Sequence, residues 1–315
     1  MSDFQSVKLD MLLAKLQSAI GTPETGLLAA DYLDCQNPQI SYGHEMTKLE
    51  TVGGGFNQPK SVVGAVKSGV QFDVAVRTGG SAAVGYLSRL LKTCAMKETV
   101  VSTTSTFALT SLASEWNSLT FWGYTGNMGA SKSRLRKIAN SMGSMDLSLD
   151  FEKGFALAKF AYEGTQQGPA TADTQPTVTR STIDPPALKG VVSTIMGDSD
   201  YIPISANISL GVRAPNIVKP SDAYGRGQPV VAEVQHSIKV KVYQDIPSVV
   251  DPETRLSAGT TGSLSLAWGS VPNGITISAA TCQIDDLQES DWNGIKTWDL
   301  TLHAIDNCLQ IALAY

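Results

Sequence analysis

The chain has 315 residues; 42% are hydrophobic, 17% are charged, and the formal net charge is −5. That length holds two domains of roughly 150 residues or one large β domain, with enough apolar residues for a core. A charged share below the usual ~25%, a mild negative balance and no apolar run approaching about 18 residues argue against a basic nucleic-acid groove and against a membrane span.

In chain order, the first ten residues lack the basic-then-apolar pattern of a signal peptide. Met11 to Leu16 reads as a strand or a short helix, and Gly21 to Gly26 as a loop. Residues 31–46 are ambiguous, with one edge strand expected. Gly53-Gly54-Gly55 marks a loop tip that continues to Pro59, without the lysine and helix of a phosphate-binding loop. Val70, Phe72, Val74 and Val76 alternate with smaller or polar residues, which predicts a strand with one buried face. Ser81 is placed to cap a helix over 82–95, where Val84, Leu87, Leu91 and Cys94 form one apolar stripe. This helix is expected to plug the open side of a β-sandwich. Strands are expected at 107–109 and 118–124. Between them and the next strand, Lys132, Arg134, Arg136 and Lys137 form the densest basic cluster, read as a solvated turn or an inter-subunit contact. Met145, Leu147, Leu149 and Phe151 alternate, Glu152-Lys153-Gly154 makes a hairpin turn, and 155–162 returns as the partner strand.

Residues 164–186 hold many Thr, Pro, Gln and Asp and few large apolar side chains, which predicts a domain boundary at about 165–190. Beyond it, β candidates resume with Ile202, Ile204, Ile208 and Leu210. A long polar loop spans 215–229 and contains Tyr224 and Arg226. Val234, Ile238, Val240 and Val242 share one strand period, and 251–262 reads as a loop with poor helix potential. Leu264, Leu266 and Trp268 form a strand; Pro272-Asn273-Gly274 turns into another with Ile275, Ile277 and Ala279. Trp298, Leu300, Leu302 and Ala304 alternate once more, and the apolar tail 308–315 is expected to pair or pack. The two halves share a plan: each ends in long alternating segments, 143–164 and 275–305, broken by a polar turn.

No constellation of side chains carries chemistry. His44, His236 and His303 are far apart and lack metal-ligand spacing. No serine sits in a nucleophile elbow. Cys35, Cys94, Cys282 and Cys308 form no paired motif and are expected to be reduced core or near-core thiols of a cytosolic chain. Asp285, Asp286, Glu289 and Asp291 lack the rhythm of a calcium loop and read as a solvated acidic hairpin tip or, more sharply, an acidic wall that repels DNA phosphates.

Short phrases in this order resemble a known family. They are Leu13-Ala14-Lys15 followed by Gly21-Thr22-Pro23, the loop 50–59, the strand 70–76, the helix 81–95, and the runs 142–151 and 158–164. In the second half they are 200–213, 257–266 and 298–307. The chain resembles the major tail protein, or tail tube protein, of long-tailed (siphovirus-like) bacteriophages, in its two-domain class. The resemblance implies a mainly β fold of two tandem tail-tube domains, 1–180 and 181–315. Each would be a β-sandwich or partly open barrel with a flanking helix or its equivalent. The weak helix signal in 251–262 departs from that pattern.

The resemblance further implies a structural protein of the virion tail, assembled in the host cell cytoplasm, with no enzymatic activity, no cofactor, no metal and no membrane partner. The partner is the chain itself, in trimeric rings of pseudo-sixfold symmetry stacked head-to-tail. The tape measure protein and passing DNA would occupy the lumen without tight binding, and tail terminator and distal tail proteins would sit at the ends. The implied lumen residues lie on the long hairpins: Asp146, Asp150, Lys159, Asp285, Asp286 and Glu289. Gly54, Phe56, Asn57, Tyr224 and Arg226 are the implied inter-ring contacts. The alternative is a carbohydrate-binding or adhesin-like β-sandwich, whose cue would be exposure of Trp116, Trp122, Trp268, Trp292 or Trp298 on a groove. A hydrolase built on Asp285 or Glu289 ranks below both.

Overall fold

The computed structural model describes residues 11–48, 61–79, 85–126, 132–178, 180–246 and 251–315. In the first half the strands are β1 (Met11–Leu16), β2 (Gln36–Lys48), β3 (Ser61–Ala75), β4 (Met96–Val101), β5 (Thr104–Leu109), β6 (Leu119–Thr125), β7 (Ser133–Asp150), β8 (Leu157–Gln166) and β9 (Thr171–Asp173), with helix α1 (Tyr86–Lys92) between β3 and β4. In the second half they are β10 (Val192–Thr194), β11 (Pro203–Ser209), β12 (Val212–Arg213), β13 (Asn216–Val218), β14 (Arg226–Pro229), β15 (Glu233–Val234), β16 (Ser237–Tyr243), β17 (Thr261–Trp268), β18 (Gly274–Trp292), β19 (Ile295–Ala304) and β20 (Leu309–Ala314), with helix α2 (Pro252–Ser257) between β16 and β17. The protein is mainly β-sheet with little helix, and its sheets pack in layers in the manner of a β-sandwich. Among the described residues no helix is long and apolar enough to cross a membrane.

Both halves are built on one topology. In the first, β7 pairs with β6 and then β1 through its opening arm, and with β8, β3 and β2 through the rest of its length. In the second, β18 pairs with β17 and then β10 through its first arm, and with β19, β16 and β11 through its second. The helices occupy matching places. Strand β9 lies on β7 as β20 lies on β18. The β4–β5 hairpin has no counterpart in the second half.

Each long strand bends where its ladder slips. In β7 the register shifts between Ala139 and Met142, and Asn140 takes a φ of 52°. The extra residue turns the strand from one layer into the other. The partner strand must approach closely there: a Cβ at Gly164 would overlap Ser141 Oγ, Ile138 Cγ2 and the Ala139 carbonyl. In β18 the corresponding slip lies between Ile284 and Asp286.

The halves are not separate sheets. Strand β7 pairs antiparallel with β11, and β5 of the first half pairs with β20 of the second. One border of each half's sheet is thereby closed within the chain, at β7 and β11. A single apolar core runs through both halves, from Leu12, Phe72 and Phe160 to Val240, Leu302 and Leu313. A smaller cluster of Leu13, Trp122, Tyr124 and Leu135 lies under Leu27 and Val178 on the far face of β1–β6–β7. The stretch expected as a linker leaves β8 at Gln166, adds β9, and returns to the first half, where the Ile183 carbonyl accepts from Arg77 (2.9 Å) and Ala187 bridges Phe155.

Four local readings are corrected. Helix α1 begins at Tyr86, not at Ser81, and its N-cap Gly85 supplies no side-chain bond; Ser81 to Val84 lie outside the described residues. The segment 251–262 is not all loop: Asp251 caps α2 by accepting from the Thr254 N–H (2.9 Å), with Pro252 in the first turn. Arg134, Arg136 and Lys137 are not a turn but part of β7, paired with β6 and β9. Asp285, Asp286, Glu289 and Asp291 are not a hairpin tip but lie along β18, with the turn at Asn293 and Gly294.

All four cysteines are free, and Cys94 and Cys282 are buried. Burial disfavours the thiolate and pushes the Cys35, Cys94 and Cys282 thiols up to about 12. At pH 8 the native chain is therefore expected to leave Cys94 and Cys282 unlabelled by a thiol reagent, while the guanidinium-unfolded chain reacts at all of its cysteines. Fast native labelling of Cys94 would contradict this packing.

Candidate functional site

Eight strands in the order β2–β3–β8–β7–β11–β16–β19–β18 form an unbroken run of the sheet drawn from both halves. Period-two alternation gives this run two unlike faces. One carries Val70, Phe72, Phe160, Leu147, Ile208, Val240 and Leu300 into the core. The other is mostly polar, with Leu157 and Ala161 of β8 among the exceptions.

On the polar face the strand registers set side chains into rows. One row runs Asp73, Lys159, Asp146, Ser209, Ser237. The next runs Ser148, Asn207, Lys239, Thr301, Asp286, and a third Asp150, Ser205, Lys241, Asp299, Gln288. Unlike charges stand opposite each other, which favours cross-strand pairs. Lys241 Nζ reaches Asp299 Oδ1 (3.0 Å) and donates to Ser290 Oγ (2.7 Å), and Ser209 Oγ donates to Asp146 Oδ1 (2.5 Å). This face is therefore not the acidic wall expected from sequence. Three lysines interleave with five carboxylates in these rows, so the negative field is reduced, though not cancelled, within a Debye length of about 8 Å.

The lumen candidates are divided by this arrangement. Asp146, Asp150, Lys159 and Asp286 lie in its rows. Asp150 sits where the β7–β8 hairpin turns, and its carboxyl is held below the usual range by Lys153 (3.0 Å) and the Glu152 N–H. Asp285 falls at the β18 slip, where His303 Nδ1 lies 2.6 Å from its carboxylate. Glu289 stands on the opposite face, across from Trp298, and reaches Lys296 (3.4 Å). The acidic run is thus not one cluster.

Of the loop candidates, Gly54, Phe56 and Asn57 lie outside the described residues. Tyr224 and Arg226 are seated on the first half. The Tyr224 carbonyl accepts from the Val66 N–H (3.2 Å), and Arg226 donates to the Asn216 carbonyl (3.2 Å) and approaches Glu45 (3.9 Å). Asn216 in turn donates to the Asn140 carbonyl (3.1 Å). The connection from β11 to β16 thus folds back onto β3 and β7 of the first half.

Among the described residues no group of three or more His, Cys, Asp or Glu is placed to hold a metal ion. His236 Nε2 is occupied by the Ala304 backbone. A cavity of about 930 Å³ is lined by residues that include Tyr32, Asp34, Tyr86, Arg89, Glu98 and Arg180. Two of its carboxylates are tied up by cations, Asp34 by Arg77 and Glu98 by Lys92 (2.5 Å).

No protein-family model matches the chain, and no curated protein is similar to it. Of the tryptophans that would cue a glycan surface, Trp122, Trp268 and Trp298 are buried, Trp116 packs against the core, and Trp292 is half-buried at the end of β18. What remains as a candidate site is the polar face and its two borders. Among the described residues, strand β2 pairs only with β3, and beyond Gln283 the distal arm of β18 pairs only with β19. Alternation along each strand was legible in the sequence; the rows across strands depend on register, which no single strand encodes.

Proposed function

We propose that this chain is a structural subunit of a phage tail tube, a polymer of itself with no turnover. Three copies form a ring, and rings stack head-to-tail around a channel for DNA. The observation that carries the reading is the eight-stranded run with one face in the core, the other mostly polar, and, among the described residues, an unpaired edge at each end. Unpaired edges recruit strands, and a curved sheet removes its edges only by closing on itself. Closure with the core outward turns the interleaved rows of Asp146, Lys159, Lys239, Asp286 and Asp299 toward the bore. Mixed charge there offers passing DNA no basic groove to release counterions against. Head-to-tail stacking is a heterologous contact and yields an open filament. In this reading the bore also holds the tape measure protein, terminator and distal tail proteins finish the ends, and the subunit belongs to the virion tail after assembly in the host cell cytoplasm. The domains are then two tail-tube β-sandwiches, each with its helix, α1 or α2.

The test is assembly of the purified full chain, followed by native mass spectrometry and negative-stain microscopy over a concentration series. The expected result is a mass of three chains and annular or tubular particles with a central channel. A chain that stays monomeric at the highest soluble concentration, or forms a compact dimer without a channel, overturns the reading.

A further inference from the structure

We infer that the outer edge of β2 in one copy pairs antiparallel with the distal arm of β18 in the next, in the register that β11 and β7 use within the chain. This rests on the proposed ring and names the contact that closes it.

The internal repeat carries the argument. Ala158, Phe160 and Tyr162 of β8 hold the places that Trp298, Leu300 and Leu302 hold in β19, all six buried. Lys159 faces Asp146 across the first hairpin, and Asp299 faces Gln288 across the second. Asp146 and Ser148 of β7 therefore match Gln288 and Ser290 of β18. On the other side, Val70 and Phe72 of β3 match Ile238 and Val240 of β16. Gln39, Ile40 and Ser41 of β2 therefore match Asn207, Ile208 and Ser209 of β11.

Inside the chain Ser209 faces Asp146, Ile208 faces Leu147 and Asn207 faces Ser148. Carried over to two copies, Ser41 faces Gln288, Ile40 faces Glu289, Gln39 faces Ser290, and Tyr42 meets Leu287. The ladder stops at Pro38, which has no N–H to give. Burial makes the same point independently. At the internal joint Met145, Leu147, Ile208 and Leu210 are 3%, 2%, 1% and 0% exposed. Their counterparts Leu287, Ile40 and Tyr42 are only partly buried, although they lie against the same core. A second copy in this register covers them. One place differs: Glu289 stands where Leu147 does and keeps its carboxylate near Lys296.

The double variant Ser41→Cys, Gln288→Cys reads the register directly. Directly opposite Cβ atoms lie about 4.5–5.5 Å apart and diagonal ones about 7–8 Å, while a disulfide needs about 3.5–4.5 Å. Under mild oxidation at a ring-forming concentration, this pair is expected to give covalent oligomers ending at three chains on a non-reducing gel. The pair Ser41→Cys, Ser290→Cys, two residues out of register, is expected to stay mostly unlinked. Rings that form without the first bridge overturn this pairing and leave the tube reading standing. Preferential linking of the second pair overturns the register. Linked dimers from Ser41→Cys alone point to a two-fold edge contact and overturn the inference. Neither rings nor bridges overturns both proposals.

Discussion

Replacing Phe160 with alanine is expected to lower the unfolding free energy by about 3–5 kcal/mol, the range for removing a fully buried phenylalanine and leaving its cavity. Phe160 sits at 0% exposure in the middle of β8, where the two layers meet. Its ring stacks on Phe72 (centroids 5.6 Å) and beside Tyr162 (6.1 Å), and Phe121 from the facing layer tilts against Tyr162 at 5.0 Å. Aromatic pairs add to simple burial, and the strands on either side are ladder-bound and cannot move in to fill the space. Urea denaturation of wild type and variant, followed by far-UV circular dichroism, gives the difference. Because the core is continuous from β1 to β20, both should unfold in one transition. A loss below about 1 kcal/mol, or a variant in which the second half melts separately at the wild-type midpoint, would refute the shared core.

Arg89→Met should cost a comparable amount for a different reason. Arg89 on α1 donates to Asp31 Oδ1 (3.1 Å) and to the Ala30 carbonyl (2.6 Å), and the two side chains are 16% and 8% exposed. Removing one partner of a buried pair strands the other charge, at about 3–5 kcal/mol. The methionine keeps most of the apolar stem, so lost packing contributes little. The double variant Arg89→Met, Asp31→Asn removes the stranded charge and is expected to recover a substantial part of that loss; Asn can still accept from the Leu28 N–H that Asp31 Oδ2 now holds (2.8 Å). Equal stability of the single and double variants would mean that the pair contributes through packing alone.

Much of the fold was legible in the sequence because strand alternation is a local signal. Val70 to Val74, Met145 to Leu149 and Trp298 to Ala304 all lie in strands with the predicted face inward, and Val76 is buried just past the end of β3. What escaped has physical causes. The start of α2 was signalled by Asp251-Pro252, with the Asp251 carboxylate placed to accept from the Thr254 N–H, but the run has almost no apolar stripe and reads as loop by periodicity. The arm of β7 through Arg134 and Arg136 looked like a turn because its outward residues are basic and exposed; the guanidinium of Arg136 lies over the Tyr42 ring (4.8 Å), a contact between residues far apart in sequence. The acidic stretch of β18 looked like a tip because, apart from Leu287, the side chains from Asp285 to Asp291 are polar on both faces. It is held as a strand by β19, whose Trp298 and Leu300 are the apolar partners across the ladder. Strand β4 went unread, since its outer end is exposed and its place depends on β5 and β20. The candidate face was legible only as separate residues, because rows such as Asp73–Lys159–Asp146 are set by pairings between distant strands.

The β4–β5 hairpin has a further consequence. By reaching from the first half onto β20, it fastens the junction of the two halves at a second place, while β7 and β11 fasten it at the first. That seam forms within one molecule, at the effective concentration of a tether, about millimolar for short flexible linkers. A seam between chains has neither the tether nor the hairpin. In any closed circle of this chain, every other seam is thus completed by folding before chains meet, and dilution or pulling should part the circle only at the seams that lack the clasp.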